Sequence, residues 1–130
     1  ILEALEVHHI DDTILGDEEK ANRIWAVISV IQVTRSKNRV VSGTKMLHHL
    51  FPDLVPPMDR QYTRMFFQWH RPQFQNNPRQ VFVDMYIRFS RIARTTNPTQ
   101  YVGEGWRTSK TKVLDNGVVA YCLMKNIKID

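Results

Sequence analysis

A single cysteine, Cys122, in 130 residues leaves no partner for an internal disulfide and no ligand set for a cysteine-based zinc cluster. That usage suits a reducing interior, so the cytoplasm is the expected compartment. Long apolar runs are also lacking. The longest, Trp25 to Ile31, is broken by Ser29 and falls well short of the roughly 20 residues a membrane-spanning helix takes, so a soluble chain without a membrane partner is expected. The histidines occur as adjacent pairs, His8-His9 and His48-His49, with no His-X-X-X-His spacing. Neighbouring residues on a helix point about 100° apart and rarely share an ion, so neither a metal nor another cofactor is expected. His48, next to Leu47, reads instead as a half-buried core histidine. There is no internal repeat, low-complexity tract or separating linker.

With 42% apolar and 10% aromatic residues, the chain can build one packed core and is too short for two, which predicts a single domain over residues 1–130. It opens at Ile1 in a stretch that already reads as helical, so natural N-terminal residues are expected to precede this numbering. Lys and Arg number 18 against 13 Asp and Glu, a formal charge of +5. The excess is strongest from Arg60 to Arg107 and favours a polyanionic partner such as nucleic acid.

Hydrophobic periodicity predicts an all-α domain of five to six helices. A short helix is expected over Leu2 to Ile10. Asp17 to about Thr34 carries Ile24, Val27, Ile28 and Ile31 at helical spacing, with Asp17 as cap, although the β-branched run from Val27 to Val33 also suits a buried strand. Ser42 to Phe51 presents Met46, Leu47, Leu50 and Phe51 before Pro52 stops it. After Pro56-Pro57 and Asp59, the residues Tyr62, Met65, Phe66 and Trp69 predict a helix reaching His70. Asn77 and Pro78 open a long helix to about Thr95, with Phe82, Met85, Phe89 and Ile92 inward and Arg88, Arg91 and Arg94 as a solvated stripe. Thr108 or Ser109 caps a last helix whose inner face is expected to hold Val113, Leu114, Val118, Tyr121 and Met124.

Two residues can carry chemistry. Lys45 falls in the first turn of the Ser42 helix, where the partial positive charge of the helix start favours a free amine, the form a Schiff-base nucleophile needs. The alternative is a lysine with its stem on the core and its head in water. Asp59 suits an N-cap accepting the amide of Gln61 or Tyr62, and a carboxylate fixed there stays ionised and able to stabilise developing positive charge.

Gly43-Thr-Lys45, a short helix and a proline-rich approach to Asp59 resemble the core of the helix-hairpin-helix DNA glycosylases, over about residues 41 to 62. The resemblance implies a helix-hairpin-helix glycosylase-like bundle and DNA, rather than RNA, as partner. It further implies Lys45 as nucleophile and Asp59 as catalytic aspartate at a damaged or abasic deoxyribose. The same stretch, with Thr108 to Asp115, also resembles small bacterial helical proteins of unassigned function. Nucleic-acid contacts are expected from Ser42, Gly43 and Thr44 at the turn, from Arg39 and Arg60, and from Arg107, Lys110 and Lys112. Arg35, Lys37, Arg39 and Lys45 would join Arg107, Lys110 and Lys112 in one phosphate-binding surface if the fold brings them together. Trp106, in a glycine-containing loop, reads either as a base-stacking platform or as a plug over the core. Whether the chain is an enzyme stays open: a non-catalytic helical module binding nucleic acid or protein is the second reading. A third comes from Arg64 and His70, whose spacing resembles the helical HEPN ribonucleases and would pair a phosphate ligand with a proton carrier.

Overall fold

A computed structural model describes residues 2–31 and 38–130. The expected helix end near Thr34, the strand alternative through Val33, and the basic residues Arg35 and Lys37 lie partly or wholly outside the described residues. The described residues form helices and no strands: α1 (Leu2–Leu5), α2 (Asp17–Val30), α3 (Arg39–Leu50), α4 (Tyr62–Phe66), α5 (Arg71–Asn76), α6 (Pro78–Thr96) and α7 (Lys110–Lys125), with a 3-10 turn at Pro98–Tyr101.

Seven helices replace the five or six expected because the helix predicted to reach His70 stops at Phe66. Gln68 takes a left-handed backbone with φ 63°, and the amides of Gln68 and Trp69 close back onto the carbonyls of Met65 and Arg64. The chain restarts as α5 after His70, with Pro72 in its first turn. α1 ends at Leu5, short of Ile10.

Two helix starts and the inner face of a third helix also differ from the expected ones. Gly16, not Asp17, flanks α2, and the Asp17 carboxylate instead accepts both guanidinium ends of Arg94 on α6. α3 begins at Arg39, three residues before Ser42, because the Asn38 side chain caps it by accepting the Val41 amide at 3.3 Å. In α7 the cap is Ser109, and the inner face is Thr111, Leu114, Val118 and Cys122, whereas Tyr121 and Met124 are exposed. The Thr111 hydroxyl donates to the carbonyls of Pro52 and Val55, which fixes the rotation of α7 and carries the outer apolar residues into solvent.

The core lies where α2 packs on α6, with α3 and α7 closing it. Ile24 and Ile28 of α2, Leu47 of α3 and Phe82, Met85 and Phe89 of α6 are fully buried. Gly43 permits the closest approach: a Cβ there would stand 2.7 Å from Ile28 Cγ2. Lys20 of α2 is buried with only 1% exposure, and its ammonium donates to the carbonyls of His9, Ile10 and Asp12 at 2.9 to 3.1 Å. It fixes the segment joining α1 to α2, whose backbone has no helix to satisfy it.

Pro52, Pro56 and Pro57 keep residues 51–58 out of a helix, yet Leu54, Val55 and Met58 are buried. Side chains of the surrounding helices supply the missing partners. Tyr86 of α6 donates to the Leu54 carbonyl at 3.0 Å, Thr111 of α7 serves Pro52 and Val55, and Thr44 of α3 accepts the Met58 amide at 3.0 Å. These bonds deliver the chain to Asp59.

Candidate functional site

Thr44 is fully buried on α3, where its hydroxyl donates to the Val40 carbonyl at 2.7 Å while accepting the Met58 amide. Lys45 and Asp59 are the next residues along each strand of that contact, so the two segments that bear them are tied together one residue upstream of each. Asp59 caps α4. Its Oδ1 accepts the amides of Gln61 at 2.9 Å and Thr63 at 3.1 Å, and its own amide donates to the Thr63 hydroxyl at 3.0 Å. Of the two expected donors, Gln61 or Tyr62, it is Gln61 that donates, and Thr63 adds a second amide together with the reciprocal bond. Oδ2 of Asp59 has no hydrogen-bond partner among the described residues. Burial, with the Asp59 charge adding to it, pushes up the Cys122 thiol.

Lys45 is exposed and forms no ion pair among the described residues. Because α3 starts at Arg39, Lys45 lies on its second turn, past the reach of the helix-start charge that the sequence assigned to it.

The expected nucleic-acid contacts separate into three groups. Gly43 and Thr44 are buried against Ile28 and Met58 and turn no surface outward; Ser42, half-buried, donates to the Asn38 carbonyl. Lys110 and Lys112 stand at the start of α7 with their ammonium groups on carboxylates, Asp11 at 3.0 Å and Asp115 at 2.8 Å. Arg39, Arg60, Trp106 and Arg107 are exposed. Trp106 is 81% exposed, so it does not plug the core, and its carbonyl accepts the side-chain amide of Asn116 of α7. The start of α7 does meet α3, since the Thr111 hydroxyl lies 2.9 Å from His48 Nδ1. That contact is with the last turn of α3, whereas Arg39 stands at the opposite end of that helix, so it does not join the two basic groups, and the α7 lysines are already neutralised.

Arg64 and His70 converge on the last residues of the chain. The buried Arg64 donates to the carbonyls of Arg60, Trp69 and Ile129 at 2.7 to 2.8 Å, and His70 Nδ1 lies 3.2 Å from the Asp130 backbone oxygen. Arg64 is thereby a clamp on the C-terminal residues. Arg88 donates to the Phe67 carbonyl and lies 5.3 Å over the Phe67 ring, and Arg94 is paired with Asp17, so of the expected basic stripe only Arg91 lacks such a partner among the described residues.

Lys20, Thr44 and Thr111 organise the fold in a way that the sequence reading above does not anticipate. Each had a signal: it falls on the apolar stripe of its helix, at positions in register with Ile24, Leu47 and Leu114. Among the described residues no cluster of three or more His, Cys, Asp or Glu side chains is arranged to hold a metal, and no helix is long and apolar enough to cross a membrane. Comparison with protein-family models, curated proteins and solved structures gave no match.

Proposed function

We propose that the protein binds DNA and acts on a deoxyribose through Lys45 and Asp59, in the manner of a glycosylase or abasic-site lyase. The observation that carries the reading is the Thr44 to Met58 bond, which holds the Lys45 and Asp59 segments side by side while, among the described residues, the Lys45 amine and one Asp59 oxygen stay uncommitted. In the step envisaged, the amine adds to the C1′ aldehyde of an abasic site and water leaves, giving an imine. The Asp59 carboxylate stabilises the positive charge that develops at C1′. Exposed Arg39, Arg60 and Arg107 supply the phosphate contacts, and the +5 charge of the chain supplies the attraction.

Borohydride reduces such an imine to a stable secondary amine. Incubation with an abasic-site duplex and borohydride is expected to give a covalent adduct, lost in Lys45→Ala and weakened in Asp59→Asn, which keeps an oxygen for the cap. Salt-sensitive retention on DNA without any adduct overturns the chemical step. The second reading, a helical module that binds nucleic acid without chemistry, then stands, favoured by the position of Lys45 away from the helix start.

A further inference from the structure

A cavity of about 680 Å³, open to solvent on one side, lies between α4, α5, the end of α7 and residues 126–130. That volume is within the roughly 300–1,000 Å³ typical of small-molecule sites. Four cations line it, Arg60, Arg64, Arg71 and Lys128, against one carboxylate, Asp130. The guanidinium of Arg64 is buried, and its partners among the described residues are all neutral carbonyls, so no direct contact there compensates its charge. Side chains of Arg60, Arg71 and Lys128 are exposed and make no hydrogen bond or ion pair among the described residues. One wall is apolar, formed by Met65, the buried Phe74 and Leu123, and the amides of Gln61, Gln75 and Asn126 add donors and acceptors.

We infer that this cavity binds a phosphate monoester carried on a planar apolar group, the chemistry of a mononucleotide. Guanidinium forks on Arg60 and Arg71 match the oxygens of a phosphate, and a dianion answers the local excess of positive charge. The apolar wall takes the base and the side-chain amides its polar edge, in the usual division of labour of such pockets. An inorganic anion alone would leave most of the volume empty. The site involves neither Lys45 nor Asp59, and Arg60 is the one residue it shares with the phosphate contacts of the proposed lyase reading, which is why the test variants are at Arg71 and Lys128.

Isothermal titration with adenosine 5′-monophosphate, inorganic phosphate and adenosine tests it. The nucleotide is expected to bind, and each half-probe to bind at least about ten-fold more weakly. Arg71→Gln and Lys128→Gln, both on the surface, are each expected to weaken the nucleotide about ten-fold, and Asp130→Asn to tighten it. Borohydride trapping is unchanged in Arg71→Gln, so the two readings fail separately. Equal binding of phosphate and nucleotide, no binding of the nucleotide, or affinities unmoved by both glutamine variants in folded protein would overturn the inference. A 5′-phosphorylated oligodeoxynucleotide that displaces the nucleotide assigns the cavity to a strand end; failure to displace it assigns the cavity to a free nucleotide.

Discussion

His48 illustrates how a single side chain was legible and what its surroundings add. Its place beside Leu47 predicted a half-buried ring, and the structure holds that ring with Nδ1 2.9 Å from both the Val55 carbonyl oxygen and the Thr111 hydroxyl. Burial lowers its pKa from the ordinary 6.5 and outweighs the Val55 contact, with His49 and Lys112 adding to the lowering. The folded protein therefore keeps the ring neutral while the unfolded chain takes up a proton first. That contribution to stability is complete above pH 6.5 and is lost as pH falls through the lower folded value. Asp17, lowered by its bonds to Arg94, acts only near and below its ordinary 3.8, so it does not mask this window. Thermal melts are expected to show a midpoint that falls between about pH 7 and about pH 5, with a flatter fall in His48→Gln; an unchanged slope would remove His48 from the account. Lys20 was harder to see, because a lysine on an apolar stripe reads as a solvated stem until the carbonyls that receive it are in place.

At the scale of the helix, two glycines make opposite predictions from one property. Gly117 is exposed inside α7, and a Cβ there meets nothing within 4 Å. Gly117→Ala should therefore stabilise by about 0.5–1 kcal/mol, through the conformational freedom an alanine removes from the unfolded chain. Gly43 has the same propensity to gain, but its Cβ would meet Ile28 Cγ2 at 2.7 Å inside the core. Overpacking there costs about 1–3 kcal/mol, so Gly43→Ala is expected to be net destabilising. Urea unfolding of the two variants settles the matter by the sign of each change. Helix boundaries followed the same division. Asn77-Pro78 marked the start of α6 because its signal is local, whereas the stop at Phe66 goes with Gln68 adopting φ 63°, which no residue pattern announced.

Across the whole molecule, Arg64 joins the ends of α4 to the last residues of the chain. Its three carbonyl partners are 4, 5 and 65 residues away, and the Arg71 amide is completed by the Asp130 backbone oxygen at 3.1 Å. Arg64→Met should release residues 127–130 and lower stability by about 2 kcal/mol or more, since three carbonyls lose a charged donor. Hydrogen exchange of the Arg71 amide reads the release directly: it should accelerate well beyond the global effect, and an unaltered rate would mean the C-terminal residues hold their place without Arg64.

The all-helical class, the faces of α2 and α6, the bond from the Gln61 amide to Asp59 and the excess of positive charge were all written in the sequence, because each follows from spacing or from chemistry between near neighbours. Which cations stay unpaired, which apolar residues of α7 reach solvent, and which helices hold the proline-rich segment were decided by the tertiary structure. Lys110 finds Asp11, Thr111 finds Pro52 and Arg64 finds Ile129 only after distant segments are packed together. Burial is what gives those contacts their weight: a buried carbonyl or charge must find a partner, and the chain nearby has none to offer.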